Sequence, residues 1–292
     1  MLRSMLLAVA GSARVRSLVE AVPLTRAVVD RFVAGALTQH AVVTTGRLAA
    51  DGLRVTLDYL GEGAAETGQA AVTVRAYQEL LAGLEEPGLA GGTDVSVKLT
   101  ALGQFLAHDG EKIALESARS ICAAAAEVGA TVTLDMEDHT TTDSTLGILR
   151  ELRVDFPWVG AVLQAYLRRT EQDCRDLSGA GSRVRLCKGA YAEPASVAYQ
   201  TRSEVDVSYV RCLRVLMAGD GYPMVASHDS RMIAIAAKLA ADAGRTPADH
   251  EFQMLFGIRP DEQRRIAFDG STMRVYVPYG EQWYGYFMRR LA

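Results

Sequence analysis

Between residues 53 and 279 the hydrophobic period switches back and forth. Eight short runs of strand texture are each followed by a longer stretch of helical texture. The runs are LRVTLDYL (53–60), DVSVKLTA (94–101), TVTLDM (131–136), VGAVLQAYL (159–167), RVRLCK (183–188), YPMVAS (222–227), HEFQMLF (250–256) and MRVYVPY (273–279). Segments such as AVTVRAYQELLAGL, EKIALESARSICAAAAEV, DVSYVRCLRVLMAG and SRMIAIAAKLAADAG separate them. Strands that alternate with helices form parallel sheets through right-handed crossovers. Eight such units in 292 residues favour an α/β fold closed as a (β/α)8 TIM-type barrel over an open doubly wound sheet. The open-sheet alternative has one candidate loop, Gly61-Glu62-Gly63, but Glu66 stands where the dinucleotide fingerprint needs its third glycine. Residues 1–50 carry apolar residues at helical spacing, with Pro23 opening LTRAVVDRFVAG, and predict an N-terminal helical extension before a barrel domain at 51–292.

Composition narrows the class. With 31 basic and 35 acidic residues the net charge is −4, which argues against a general nucleic-acid binder. The four cysteines, Cys122, Cys174, Cys187 and Cys212, have no CxxC spacing, and read as reduced thiols of a cytosolic protein. No apolar run approaches the roughly 18–20 residues of a membrane span. The opening MLRSMLLAVAGSARVR reads as the start of a helix rather than a signal peptide.

A barrel enzyme carries its chemistry at the C-terminal ends of its strands. Those ends hold Glu62, Lys98, Asp135 to His139, Gln164 and Tyr166, Arg185 and Lys188, Ser227-His228-Asp229, Gln253 and Tyr276. So many polar groups are costly in a packed interior, so they are expected to line a site. Only four of the 31 basic residues are lysine; Lys112 and Lys238 fall on outer helices, whereas Lys98 and Lys188 fall at strand ends. Either strand-end lysine would serve a Schiff-base aldolase. Asp135, Glu137 and His228 would serve a metal-dependent hydrolase only weakly, with no HxH pair, and no metal centre is expected. In the last helix Tyr286, Arg289 and Arg290 stand at i, i+3 and i+4, a face suited to a small carboxylate.

Seven segments in colinear order resemble proline dehydrogenases: VSVKLTALG (95–103), TLDMED (133–138), VLQAYLRRT (162–170), RLCKGAY (185–191), SHD (227–229), EFQMLFGIR (251–259) and YVPYGEQWYGYFMRRLA (276–292). The resemblance is to the compact, monofunctional bacterial form. It implies a distorted barrel that binds FAD noncovalently and oxidises L-proline to Δ1-pyrroline-5-carboxylate by hydride transfer to flavin N5. It also implies electron transfer to a membrane quinone and functional coupling to pyrroline-5-carboxylate dehydrogenase, in the cytoplasm with peripheral contact to the inner face of the membrane. By motif, Arg185 matches the residue beside flavin N5, and Gln164, Lys188, Gly189, Ala190, Ser227 and His228 match the cofactor contacts. Lys98, Arg289 and Arg290 match the clamp on the substrate carboxylate. Tyr276, Tyr286 and Leu255 match residues around the pyrrolidine ring, with Ala190 and Tyr191 beside it. Asp135 matches the active-site aspartate, and Glu62 the gate that pairs with the first arginine of the last helix. The sequence stops at RRLA, so a tail covering the site is expected to lie outside it. A relative acting on 4-hydroxyproline is the nearest alternative, disfavoured because Tyr276 is expected to crowd the C4 side of the ring.

Overall fold

The computed structural model describes residues 29–61 and 63–291, and side chains only as far as residue 287. Helix α1 (Thr38–Ala50) leads into β1 (Arg54–Tyr59), and eight strand–helix units follow. They run α2 (Thr67–Glu85), β2 (Asp94–Val97), α3 (Gly110–Glu127), β3 (Thr131–Leu134), α4 (Thr142–Asp155), β4 (Gly160–Gln164) and α5 (Thr170–Asp176). Then come β5 (Arg183–Cys187), α6 (Arg202–Ala218), β6 (Tyr222–Ala226), α7 (Ser230–Asp242), β7 (Glu251–Leu255), α8 (Pro260–Phe268), β8 (Met273–Tyr279) and α9 (Trp283–Leu291). Every neighbouring pair is parallel, and β1 pairs β8, with Val55 opposite Val275 and Leu57 opposite Val277, to close the barrel. The expected (β/α)8 fold is what the chain adopts. The second and fourth strands are shorter than their apolar runs. After Lys98 the chain turns into a 3-10 helix at Thr100–Leu102, and after Gln164 it leaves the ladder at a turn. The predicted helices before residue 29 lie outside the described residues.

Successive side chains along a strand point to opposite faces, so each strand has one face toward the helices and one toward the barrel interior. The helix-facing set is apolar: Val55, Leu57, Val95, Val97, Val132, Leu134, Val184, Leu186, Val275 and Val277 share one core with Tyr77, Leu80, Ile121, Leu149 and Leu213 of the helices. Ala41, Val42 and Leu48 of α1 join the same core. The intervening residues are polar and charged. Asp94 accepts hydrogen bonds from Thr56 (3.1 Å), Thr131 (2.8 Å) and Thr133 (3.0 Å), and pairs with Arg183 (3.3 Å) and Arg185 (3.2 Å). Glu251 binds Arg274 through both oxygens, at 2.7 and 3.1 Å, and Arg274 also donates to the carbonyls of Val55 and Gly92.

Burial alone would raise the pKa of both acids, but the arginines more than offset it and hold them below the ordinary carboxylate range. A depressed pKa contributes stability that is present above the unfolded-state value and is lost as pH falls through the folded-state value. These pairs therefore brace the barrel throughout the neutral range. Removing one partner of a buried pair leaves the other charge uncompensated, which costs about 3–5 kcal/mol. Glu251→Ala should lower the folding free energy by that amount in denaturant titration. A midpoint unchanged from wild type would show that the pair contributes little.

Candidate active site

A cavity of about 450 Å³ opens at the C-terminal ends of the strands, within the roughly 300–1,000 Å³ usual for small-molecule sites. Its wall includes Lys98, Asp135, Gln164, Arg185, Lys188, Gly189, Ala190, Tyr191, Ser227, His228, Leu255, Tyr276 and Tyr286. These are the residues matched by motif except three. Glu62 lies outside the described residues, as do the side chains of Arg289 and Arg290. Of the other strand-end residues expected at the site, Met136, Asp229 and Gln253 also line the cavity, whereas Glu137, Asp138, His139 and Tyr166 stand behind its wall or outside it. The backbone of α9 does carry Arg289 and Arg290 one turn beyond Tyr286, and Tyr284, Tyr286 and Phe287 seat this helix on Val29, Val33 and Leu60.

The floor of the cavity is a network of ion pairs. Lys98 Nζ lies 2.6 Å from Asp58 Oδ1 and 3.4 Å from Asp135 Oδ2. The other oxygen of Asp135 accepts from Ser96 Oγ (2.7 Å) and Arg185 Nη1 (3.0 Å). Tyr276 donates its hydroxyl to Asp135 Oδ2 at 2.8 Å, and the Arg185 guanidinium stands 5.3 Å from the Tyr276 ring centroid. The register explains the stacking, because Asp94 and Ser96 occupy alternate positions of β2 and Lys98 follows directly at its end, so the three climb from base to mouth. Burial opposes the Lys98 charge, but the carboxylates of Asp58 and Asp135 outweigh it and hold its pKa above the ordinary lysine value. Burial pushes the Asp58 carboxyl upward, against the pull of Lys98. Burial, reinforced by the Asp135 charge, holds Tyr276 as a neutral phenol well beyond the normal tyrosine range. At neutral pH the floor thus offers a fixed ammonium and a phenol that donates, beside the paired side chain of Arg185.

The side of the cavity is built from three loops. Lys188 pairs with Asp206 (2.5 Å) and Asp229 (3.3 Å), and Asp229 caps α7 and binds Arg231. His228 Nε2 accepts the backbone N–H of Leu255 at 2.9 Å, so in the neutral ring the proton sits on Nδ1. Gln164 donates to the Glu137 carbonyl (2.6 Å), while the Glu137 carboxylate is engaged by Thr100. Among the described residues no group of three His, Cys, Asp or Glu side chains could hold a metal. Gly189, with φ +111°, admits no side chain, since a Cβ there would lie 2.2 Å from the Tyr166 ring. Glu193 then fastens this loop, accepting from the His139 backbone N–H (2.9 Å) and the Tyr166 hydroxyl (3.2 Å).

Sequence reasoning overlooked Asp58, the nearest carboxylate to Lys98. The signal was present: an acid stands inside the strand run LRVTLDYL, where a buried charge requires a partner. It also passed over Asp206 and the Glu193 clamp, whose partners lie far away in sequence.

A family model for proline dehydrogenase matches residues 41–292. The chain belongs to the proline dehydrogenase family. It is 39% identical over 268 residues to proline dehydrogenase 1 of Bacillus subtilis, covering 92% of this chain and 87% of the relative. It is likewise 39% identical over 265 residues to the proline dehydrogenase of Deinococcus radiodurans, covering 90% and 85%. The crystal structure of proline utilization A from Bdellovibrio bacteriovorus, inactivated by N-propargylglycine, superposes with a TM-score of 0.83 at 26% identity. That match covers 91% of this chain but 32% of the other, so the chain spans about a third of that protein. Family membership makes the protein an oxidoreductase of proline catabolism.

One consequence of the site's electrostatics is open to a direct check. Burial, aided by the Asp135 charge, pushes the Cys187 thiol up to about 11, although the residue lines the cavity. The thiolate is the reactive form. Cys187 in the folded protein should therefore resist iodoacetamide at pH 8 and label only as pH approaches 11 or the chain unfolds, as mapped by mass spectrometry. Labelling at pH 8 at the rate of a free thiol would contradict this.

Proposed function

We propose that the protein oxidises L-proline to Δ1-pyrroline-5-carboxylate with a noncovalently bound FAD. Electrons then leave to a quinone at the inner face of the cytoplasmic membrane, and the product passes to a pyrroline-5-carboxylate dehydrogenase. The observation that carries the catalytic part of this reading is the cavity floor. There Lys98 is ion-paired with Asp58 and Asp135, and Arg185 with Asp135, beneath aromatic and aliphatic walls. The membrane and partner steps rest on the family resemblance alone.

The residues present fit a flavin. Arg185 commits Nη1 and Nη2 to Asp135, Ser96 and Asp94, yet among the described residues its buried Nε has no acceptor. A buried donor of that kind requires a partner, which a polar heterocycle in the cavity would supply. Gln164, Lys188, Ser227 and His228 surround the same space with further polar groups. When bound, the flavin provides the two-electron acceptor that no side chain can provide.

The chain's own part is positioning and charge. Lys98, together with Arg289 and Arg290 of α9, grips the substrate carboxylate and so fixes one end of the imino acid. Tyr276, Tyr286 and Leu255 set the height and tilt of the ring. Tyr276 is held in place by its hydrogen bond to Asp135, and Leu255 by the bond between its N–H and His228. The substrate nitrogen gives up its proton and the adjacent ring carbon its hydrogen with two electrons. Apolar walls that exclude water favour the neutral amine this requires.

Purified protein should show a flavin band near about 450 nm that bleaches when L-proline is added without oxygen. Protein that is colourless and cannot be reconstituted with FAD would overturn the reading. N-propargylglycine, which inactivates the Bdellovibrio protein, should inactivate this one as well. Lys98→Met should raise the KM for L-proline by roughly 10²-fold, as loss of about 3 kcal/mol of charge-assisted hydrogen bonding implies, with flavin content retained. An unchanged KM would remove Lys98 from the carboxylate grip.

A further inference from the structure

The opposite end of the barrel holds a second cavity, of about 570 Å³, among the N-terminal ends of the strands. Arg54, Arg183 and Arg274 line it, together with a single acid, Glu251. The acids here are already saturated. Glu251 Oε1 accepts from Arg274 and Gln253, and Oε2 from Arg274 and Tyr222. Asp94, just above, serves three threonines and two arginines. Arg274 spends its donors on Glu251 and on two carbonyls. Two cations are left over. Arg183, only 13% exposed, has one long ion pair at 3.3 Å, and its Nη2 meets only the thioether of Met224 at 3.7 Å. The Arg54 side chain makes no hydrogen bond or ion pair among the described residues.

We propose that this base cavity is a binding site for a small polyvalent oxyanion, held between Arg54 and Arg183. An ion network serving only to plug the barrel would neutralise its own charges, as Arg274 and Glu251 do. Here two guanidinium groups face one concave space, Arg54 with no carboxylate partner among the described residues and Arg183 with one long contact to the shared Asp94. Guanidinium groups bind phosphate and carboxylate oxygens in bidentate fashion, and a polyvalent anion meets both at once. The occupant would sit two ion pairs from the catalytic cavity, since Asp94 joins Arg183 to Arg185.

The test is calorimetric titration of the flavin-loaded protein with inorganic phosphate and, separately, with citrate, against sodium chloride at equal ionic strength. Saturable binding of either anion is expected, weakened at least tenfold in Arg54→Gln and abolished in Arg54→Glu. Arg54 is exposed, so both variants should melt at the wild-type temperature in chloride. A preference for phosphate would identify a phosphate ester as the occupant, and a preference for citrate a polycarboxylate. Failure of both anions to bind would overturn the proposal. So would equal affinity in wild type and Arg54→Gln, which would place the anion at the cavity mouth instead.

Discussion

Asp94 is the residue on which the interior of this barrel depends. Its carboxylate sits with no exposure to solvent among Thr56, Thr131, Thr133, Arg183 and Arg185, and so links strands β1, β2, β3 and β5 across the lumen. A buried carboxylate without partners would be prohibitively costly, and a buried arginine equally so. Each tolerates the other only because the parallel register brings them to one level. The consequence reaches upward. Arg185, anchored from below by Asp94, is free to meet Asp135 above, and Asp135 in turn holds Tyr276 and faces Lys98. The geometry of the cavity floor is therefore inherited from the ion pairs beneath it. Barrels of this class usually fill the lumen with branched apolar side chains. This one replaces much of that filling with charge, and in doing so keeps Lys98 ionised near the mouth.

The fold was legible in the sequence because its signal is local. Each apolar run and each helical stretch shows its period within a few residues, and eight repetitions leave few architectures open. The mouth of the barrel was legible for a related reason, since Lys98, Asp135, Arg185 and Tyr276 stand at or near the ends of runs where polar residues are conspicuous. What stayed hidden are the pairings that closure creates. Asp58 meets Lys98 across 40 positions, and Arg185 meets Asp94 across 91. Neither Asp94 nor Glu251 announces itself, because each opens its strand, where a charged residue ordinarily marks the edge of an element. The short ends of β2 and β4 were overestimated because the apolar character continues into turns that pack against the helices.

These pairings also decide how the proposed chemistry is divided. No side chain in the floor is poised to accept electrons, and the phenol of Tyr276 and the thiol of Cys187 are both pushed toward their neutral forms. What the chain provides is a paired arrangement of charge in the cavity floor, with Tyr286 of α9 at the cavity wall. In the proposed reaction, binding energy spent on the carboxylate end of an imino acid would be converted into alignment of its ring.

In the proposed reaction Asp58 acts through Lys98, holding its ammonium charged and in place, so the two should behave as one unit toward substrate. A double-mutant cycle on kcat/KM for L-proline, with Lys98→Met, Asp58→Asn and both together, measures this directly. The account predicts strong non-additivity: once Lys98 is gone, removing the Asp58 charge should cost little more. Fully additive losses would mean that Asp58 acts on the substrate or the fold by a separate route, and would contradict it.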